Sequence, residues 1–138
     1  MPSLVYNSCI DDLARGNIDF DSNTFKAMLV TSSYVPNKDS HDRRDDVTNE
    51  ATGTGYTTGG VTCTVTVTKD VANDRVIIQF GAVSLASSTI TARGCVYYRS
   101  RGGAASADEL AVYNDFGSDV SSSGGTFAVA ASTITLQN

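Results

Sequence analysis

The sequence predicts an all-β protein: a two-sheet sandwich of jelly-roll type, with one short N-terminal helix and one long projecting loop. Segments rich in Val, Ile, Thr, Tyr and Phe alternate with turns that contain Gly, Ser and Asn. Trp is absent and Gly numbers 12, a composition that suits short strands joined by tight turns. The 138 residues suffice for one domain with its own core. We therefore predict a single domain over 1–138, with 1–17 as its N-terminal helix and arm, and keep an immunoglobulin-like sandwich as the alternative.

The charge balance argues against several kinds of partner. The net charge is −5 and the pI is about 4.6, whereas proteins that bind nucleic acid present a basic face. No apolar segment is long enough to span a bilayer. The first residues lack the basic start and apolar run of a secretory signal, so we expect synthesis in the cytoplasm. We predict no contact with nucleic acid or membrane, no small-molecule substrate and no cofactor.

The cysteines favour buried thiols over a disulfide or zinc framework. They are Cys9, Cys63 and Cys95, an odd number without a C-x-x-C pair. Free cysteine behaves as a small hydrophobic residue. We therefore expect three reduced side chains in the core.

The first element is predicted to be a short helix. Ser8 and Asp11 have the spacing of a capping box, and Gly16 stands where a helix ends. The face predicted to be buried consists of Cys9, Ile10, Leu13 and Ala14. A helix this short is stable only when packed against the sheet.

A turn and a buried strand follow the helix. Asp19, Asp21 and Asn23 imitate the start of a calcium loop, but the sixth-position Gly and the distal Glu are missing, so we expect a structural turn. Phe25–Val30 is almost wholly apolar, which predicts a strand covered on both faces.

The excursion 39–60, DSHDRRDDVTNEATGTGYTTGG, is the long loop. Its acidic residues around His41 favour a solvated loop over a cation site. His41 is the only histidine, and no nucleophile motif accompanies it, so we predict that the protein is not an enzyme. The glycines of 53–60 lack the spacing and the Lys of a phosphate loop, and a strand follows them. They indicate sharp turns or close backbone approach.

The sequence after the excursion predicts a series of strands. Val and Thr alternate over 61–68, and this segment is predicted to form a hairpin with Arg75–Phe80. The further predicted strands are 89–99, 110–116, 126–131 and 133–137, with a flexible segment at 117–125.

Several stretches together resemble a family of tailed-phage and prophage structural proteins. They are DFDSNTFK at 19–26, MLVTS at 28–32, YVPNKD at 34–39, HD at 41–42, DVTNE at 46–50, GTGYTTGG at 53–60 and YNDFG at 113–117. The resemblance is densest over 19–60 and is closest to the cement, or head-decoration, proteins. It implies a β-rich domain that forms a homodimer or homotrimer and binds the major capsid protein. It also implies a place on the outer surface of the virion capsid, after assembly in the host cytoplasm.

The candidate partner-binding residues lie mainly in the excursion. Arg43 and Arg44 offer forked donors to carboxylates, Tyr56 is an amphipathic anchor, and Arg99 and Arg101 form a second basic group. The full predicted set is His41, Arg43, Arg44, Thr54, Tyr56, Arg99 and Arg101. Plain solvated charge is the alternative for each arginine.

Two further function classes stay open from the sequence. One is a phage tail or neck component, which is also β-rich and without catalysis. The other is a carbohydrate-binding sandwich; the absence of Trp argues against it, while Tyr97 and Tyr98 leave it open.

Overall fold

The computed structural model describes residues 3–138 and shows an antiparallel β protein with one α-helix. The strands are β1 Leu4–Val5, β2 Phe25–Val30, β3 Val61–Cys63, β4 Val65–Asp70, β5 Arg75–Phe80, β6 Val83–Ser88, β7 Thr91–Arg99, β8 Leu110–Ser121, β9 Gly125–Val129 and β10 Ser132–Gln137. Helix α1 spans Asn7–Ala14, and short 3₁₀ turns cover Arg44–Asp46, Val71–Asn73 and Ala105–Ala107. The predicted all-β class is confirmed. Across residues 3–138, no helix has the length and apolarity needed to cross a membrane.

The strands form three antiparallel sheets. The largest has the order β1-β8-β7-β2-β3, the second β10-β5-β4, and the third pairs β6 with β9. In the centre of the large sheet, β2 pairs with β7 so that Phe25 lies opposite Arg99 and Val30 opposite Gly94.

Strand β2 is apolar on both faces because each face has its own core. Phe25 and Leu29 belong to a large cluster that also contains Phe80 of the second sheet. Met28 and Val30 face the opposite way into a second cluster. The members of that second core are Tyr6, Met28, Val30, Tyr34, Val96, Tyr98, Leu110 and Tyr113. The predicted burial of both faces is confirmed.

The excursion 39–60 does not project, which corrects the sequence-based prediction. It returns to the sheet at three isolated bridges, which pair Arg43 with Glu109, Glu50 with Val30, and Thr54 with Thr89. Ala51 within it is 1% exposed. Ala51 belongs to the large core cluster and Tyr56 packs against it, while Val47 packs against the second core. The physical reason is therefore apolar packing on both faces of the sheet, because an apolar sheet face is stable only when another layer excludes water from it.

Helix α1 starts one residue earlier than its predicted cap. Ser8 does not cap it; its hydroxyl donates to the carbonyl of His41 at 3.5 Å. The predicted burial of Ile10 is wrong, since Ile10 is 60% exposed while Cys9 and Asp12 are buried. Asp12 can turn inward because Arg43 pairs with it.

The three cysteines are free and buried, as predicted. Burial raises the pKa of Cys63 to about 11 and that of Cys9 to about 12. These thiols are therefore protonated at neutral pH and unreactive.

The turn before β2 is structural, as predicted. The carboxylate of Asp19 accepts hydrogen bonds from the backbone N–H of Asp21 at 3.0 Å and the hydroxyl of Ser22 at 2.7 Å. Asn23 Oδ1 accepts the N–H of Asp19 at 2.7 Å. The two oxygens of Asp19 are thus engaged in closing the turn.

Two strand predictions need correction. The Val/Thr segment 61–68 divides at Thr64, so that β3 pairs with β2 and β4 pairs with β5. The β4–β5 hairpin is confirmed. The segment 117–121, predicted to be flexible, instead extends β8, and Ser121 pairs with Thr91. The register shift between Ala92 and Gly94 lets both strands bend there and continue.

Candidate partner-binding site

The four arginines predicted to bind a partner come together in the fold. Arg43 and Arg44 enter from the excursion, and Arg99 and Arg101 from the end of β7 and the loop after it. They surround three carboxylates. We call this group the arginine–carboxylate cluster: Arg43, Arg44, Arg99, Arg101, Asp12, Asp108 and Glu109.

The carboxylates of the cluster were not predicted from the sequence. Asp12 is 3% exposed, and Asp108 and Glu109 are each 1% exposed. Asp108 and Glu109 stand directly before an apolar strand, at the far end of a loop that begins after Arg99. Pairing of the strands on either side of this loop brings the two carboxylates to the arginines. Predicting that the strands on either side of 99–110 pair as a hairpin would have placed these carboxylates near the arginines.

Arg101 and Glu109 form the best-aligned pair. Nε and Nη2 of Arg101 donate to the two carboxylate oxygens, each at 2.7 Å. Arg99 lies 3.6 Å from the same carboxylate and donates to the carbonyl of Asn17. Burial by itself would raise the pKa of Glu109, but hydrogen bonding to Arg101 and the charges of both arginines lower it below its ordinary value. Glu109 is therefore ionised in the fold.

Arg44 joins the excursion to the residues just before β8. Its Nε donates to Asp108 at 2.8 Å, and its backbone N–H donates to the carbonyl of Asp108 at 2.9 Å. Its guanidinium also lies over the ring of Tyr98, 5.2 Å from the centroid. A cation–π contact and a charge-assisted hydrogen bond thus hold one side chain.

Arg43 ties the excursion to helix α1, through a contact of 3.2 Å with Asp12. Beside it, the carboxylate of Asp46 accepts the backbone N–H groups of Asp42, at 2.8 Å, and of Arg43, at 3.2 Å. These backbone hydrogen bonds lower the pKa of Asp46. Asp46 therefore closes this turn of the backbone. Within residues 3–138, no group of three or more His, Cys, Asp or Glu could hold a metal ion.

Tyr56 is anchored inside the protein. Its hydroxyl donates to Glu50 at 2.6 Å and accepts the backbone N–H of Leu29 at 3.0 Å. Glu50 also accepts the N–H of Gly59 at 2.6 Å, and the carbonyl of Gly59 accepts a hydrogen bond from Tyr98. Burial, then the contact with Glu50, raises the pKa of the Tyr56 hydroxyl. The tyrosine locks the second half of the excursion in place.

His41 and Thr54 lie at the two ends of the excursion. The hydroxyl of Tyr34 lies 3.0 Å from His41 Nδ1, and the hydroxyl of Tyr6 lies 2.8 Å from that of Tyr34. Because the backbone N–H of Asn37 donates to the same Nδ1 at 3.3 Å, this nitrogen acts as an acceptor. Thr54 is exposed and separate from the cluster, and its carbonyl accepts the N–H of Thr89 at 2.9 Å.

The arginine–carboxylate cluster presents guanidinium groups at the surface in positions that the fold already sets. The side chains of Arg101 and Arg43 are 40% and 29% exposed, while the carboxylates beneath them are buried. The buried pairs fix each guanidinium before any partner arrives, so binding would lose little side-chain entropy. The chemistry available here is recognition of oxygen acceptors by positioned arginines.

No family model, curated protein or solved structure matches this chain.

Proposed function

We propose that this chain is a non-enzymatic virion structural protein: a capsid cement, or head-decoration, protein that binds the major capsid protein and stabilises the phage head shell. In this proposal it lies on the outer surface of the capsid, as a homodimer or homotrimer, after assembly in the host cytoplasm.

The observation that supports the proposal is that residues in 19–60, where the resemblance is densest, have defined structural roles in the fold. Asp19 closes the turn before β2, Glu50 and Tyr56 hold the excursion on the sheet, and Gly60 passes close to Ala27. The resemblance thus includes residues that shape a surface, and a preformed surface suits a protein whose work is to bind.

The proposed contact residues divide by exposure. Arg43, Arg101 and Thr54 would touch the capsid protein, since part or all of each side chain reaches solvent. Arg44 and Tyr56 would act by holding the excursion in shape. Arg99 would act in the same way through Glu109, and His41 through Tyr34. The acceptors on the partner would be carboxylates or carbonyls, which match the forked donors of arginine.

For the architecture we propose a jelly-roll-type sandwich. Support comes from the large core cluster, which collects side chains from all three sheets, including Phe25, Phe80 and Phe127. The rings of Phe80 and Tyr97 stack across two of the sheets with centroids 4.5 Å apart. Sheets that share one core in this way form the layers of a sandwich.

The copy number of the chain in purified phage particles, relative to the major capsid protein, tests the location. A ratio near one is the expected result. A few copies per particle would favour a tail or neck component instead. Complete absence from particles would reject a role in the virion, and a glycan-binding assay would then test the carbohydrate-binding alternative.

A substitution at Thr54 tests the surface. Thr54→Glu adds a charge at an exposed position, so it should weaken binding to capsid shells without unfolding the protein. Thr135→Glu is the matched control, because Thr135 is an exposed threonine of β10, outside the excursion. Equal binding by both variants would remove Thr54 from the interface.

A further inference from the structure

Strand β4 is one edge of the β10-β5-β4 sheet, and β10 is the other. Strand β4 pairs with β5 on one side and with no described strand on the other. Residues 66–69 are all exposed. An open edge offers unpaired N–H and C=O groups, and it readily accepts another strand when the segment has high β-propensity and little charge. The segment Val65–Asp70 alternates Val and Thr before its two charged residues.

One hydrogen bond shows which backbone groups of β4 face this open edge. The N–H of Gly81 donates to the carbonyl of Thr64 at 2.7 Å, so these residues form a hydrogen-bonded pair. Hydrogen-bonded and non-hydrogen-bonded pairs alternate along an antiparallel ladder. Thr66 and Thr68 therefore bond to β5. The N–H and C=O groups of Val65, Val67 and Lys69 point outward.

An apolar side chain of this edge, Val67, is partly uncovered. Val67 lies opposite Ile78 and is 41% exposed. Leu136, on the far strand of the same sheet, is also 41% exposed. Val67 and Leu136 border a groove that continues to Leu13 and Phe20 beside helix α1. The open edge thus adjoins an apolar surface, and such surfaces mark interaction sites.

We propose that two copies of this chain pair antiparallel through β4, about a two-fold axis at Val67, to form one continuous six-stranded sheet. Val67 of each copy then donates to and accepts from Val67 of the other, because its N–H and C=O face outward. Val65 of one copy pairs in the same way with Lys69 of the other.

The sequence of β4 is self-complementary in this register. The two lysines lie at opposite ends of the paired segment, so like charges do not face each other. On the outer face, Thr66 of one copy lies opposite Thr68 of the other, a favourable cross-strand pair. On the inner face, Val67 meets its own copy, which covers its exposed surface. A two-fold contact also covers the β4 edge of both copies, whereas head-to-tail pairing of β4 with β10 would leave one β4 edge open unless a ring closed.

The β4–β4 interface is a specific form of the homodimer in the proposed function. Testing this interface requires no phage component. A dimer in solution would stand even if the chain were absent from particles. Binding to capsid through the excursion could equally persist without the β4 contact.

Sedimentation of the purified full chain over a concentration series tests the pairing, with Val67→Pro as the variant. Proline removes the outward N–H of Val67 and leaves the bonds to β5 intact. The expected result is a wild-type dimer and at least a ~10-fold higher dissociation constant for the variant, about the loss of one or two interstrand hydrogen bonds. The circular dichroism spectrum should be unchanged.

Thr135→Pro on β10 is the matched control. Thr135 pairs with Ile77, whose own backbone groups face β4, so by the same alternation those of Thr135 point away from β5 to the opposite edge. This variant should remain dimeric. A monomeric wild type would overturn the proposal, and so would a dimer that Val67→Pro leaves unchanged or that Thr135→Pro weakens.

Cysteine cross-linking tests the register without disturbing the backbone. In the proposed pair Thr66 faces Thr68 of the other copy across a non-hydrogen-bonded site, where Cα atoms approach to about 4.5 Å. A mixture of Thr66→Cys and Thr68→Cys chains should give a disulfide-linked dimer under mild oxidation. Neither variant alone should do so to the same extent. Equal cross-linking in all three samples would reject the register.

Discussion

Arg101 and Glu109 face each other across the loop that follows β7, and both carboxylate oxygens receive a guanidinium N–H at 2.7 Å. The pair is unequal in burial. The side chain of Arg101 is 40% exposed, while that of Glu109 is 2% exposed. Removing one member therefore has a different consequence from removing the other.

We expect Arg101→Gln to destabilise the protein more than Glu109→Gln. Loss of Arg101 leaves a buried carboxylate with only the more distant Arg99, whereas loss of Glu109 leaves an arginine that water can reach. Glu109→Gln should lower the free energy of unfolding by about 2 kcal/mol, the usual contribution of a hydrogen bond to a charged group. Urea unfolding of both variants measures the difference. Equal losses would mean that Glu109 is solvated or protonated once its partner is gone.

The ion pair between Arg101 and Glu109 also makes the free energy of unfolding depend on pH. The pKa of Glu109 in the fold lies below its ordinary value of 4.5, so the unfolded chain binds its proton more readily than the folded one. The stabilisation is therefore present above pH 4.5 and is lost as the pH falls through the lower, folded pKa. The free energy of unfolding of the wild type should fall over that interval more steeply than that of Glu109→Gln. Parallel curves from pH 6 downward would show that Glu109 contributes nothing to acid unfolding.

Gly60 has no room for a side chain. Its φ is +88°, and a Cβ atom there would lie 2.0 Å from the carbonyl oxygen of Ala27. Gly60→Ala must therefore displace backbone against β2, in addition to the roughly 1–2 kcal/mol cost of the left-handed conformation. Gly102→Ala is the control, since Gly102 has φ +80° with open space around its Cβ position. Thermal unfolding should show a clearly larger loss for Gly60→Ala. A loss no larger than that of Gly102→Ala would mean that the excursion can lift away from β2 at little cost.

Deletion of residues 42–58 should prevent stable folding. It removes Ala51 and Tyr56 from the large core and Val47 from the second, and it leaves the carboxylates of Asp12 and Asp108 buried without their arginines. The measurement is the dispersion of amide signals in an NMR spectrum, which should collapse. An insertion of two glycines after Gly102 is the control, because an exposed loop tolerates added length. A folded deletion variant would show that the excursion is dispensable for the scaffold.

Much of the scaffold was predictable because its signals are local. The apolar run at Phe25–Val30 predicted a strand with two covered faces, and the structure gives it two cores. The alternation of Val and Thr predicted the β4–β5 hairpin. The odd number of cysteines predicted buried thiols, and all three are free and buried. Periodicity and residue counts act over a few residues, so the sequence displays them directly.

The candidate site was predictable only in part. The sequence predicted Arg43, Arg44, Arg99 and Arg101 as partner-binding residues, but it did not predict the carboxylates that pair with them in the fold. Asp12 lies on a different face of helix α1 from Ile10, which was expected to be buried. No local pattern indicates that a carboxylate will be buried, because burial depends on a cation that arrives from elsewhere in the chain.

The sequence by itself determined the β class, the hairpin at β4–β5, the state of the cysteines and the segment 39–60 as the chain's longest irregular excursion. Only the tertiary structure decided what that excursion does. It packs against both cores, through Ala51 and Tyr56 on the large one and Val47 on the second, because apolar side chains are more stable out of water. It stays there because Arg43 and Arg44 pair with Asp12 and Asp108. Such pairings join residues 31 and 64 positions apart. These ion pairs contribute to stability only after the sheet has brought the two charges close together and away from water.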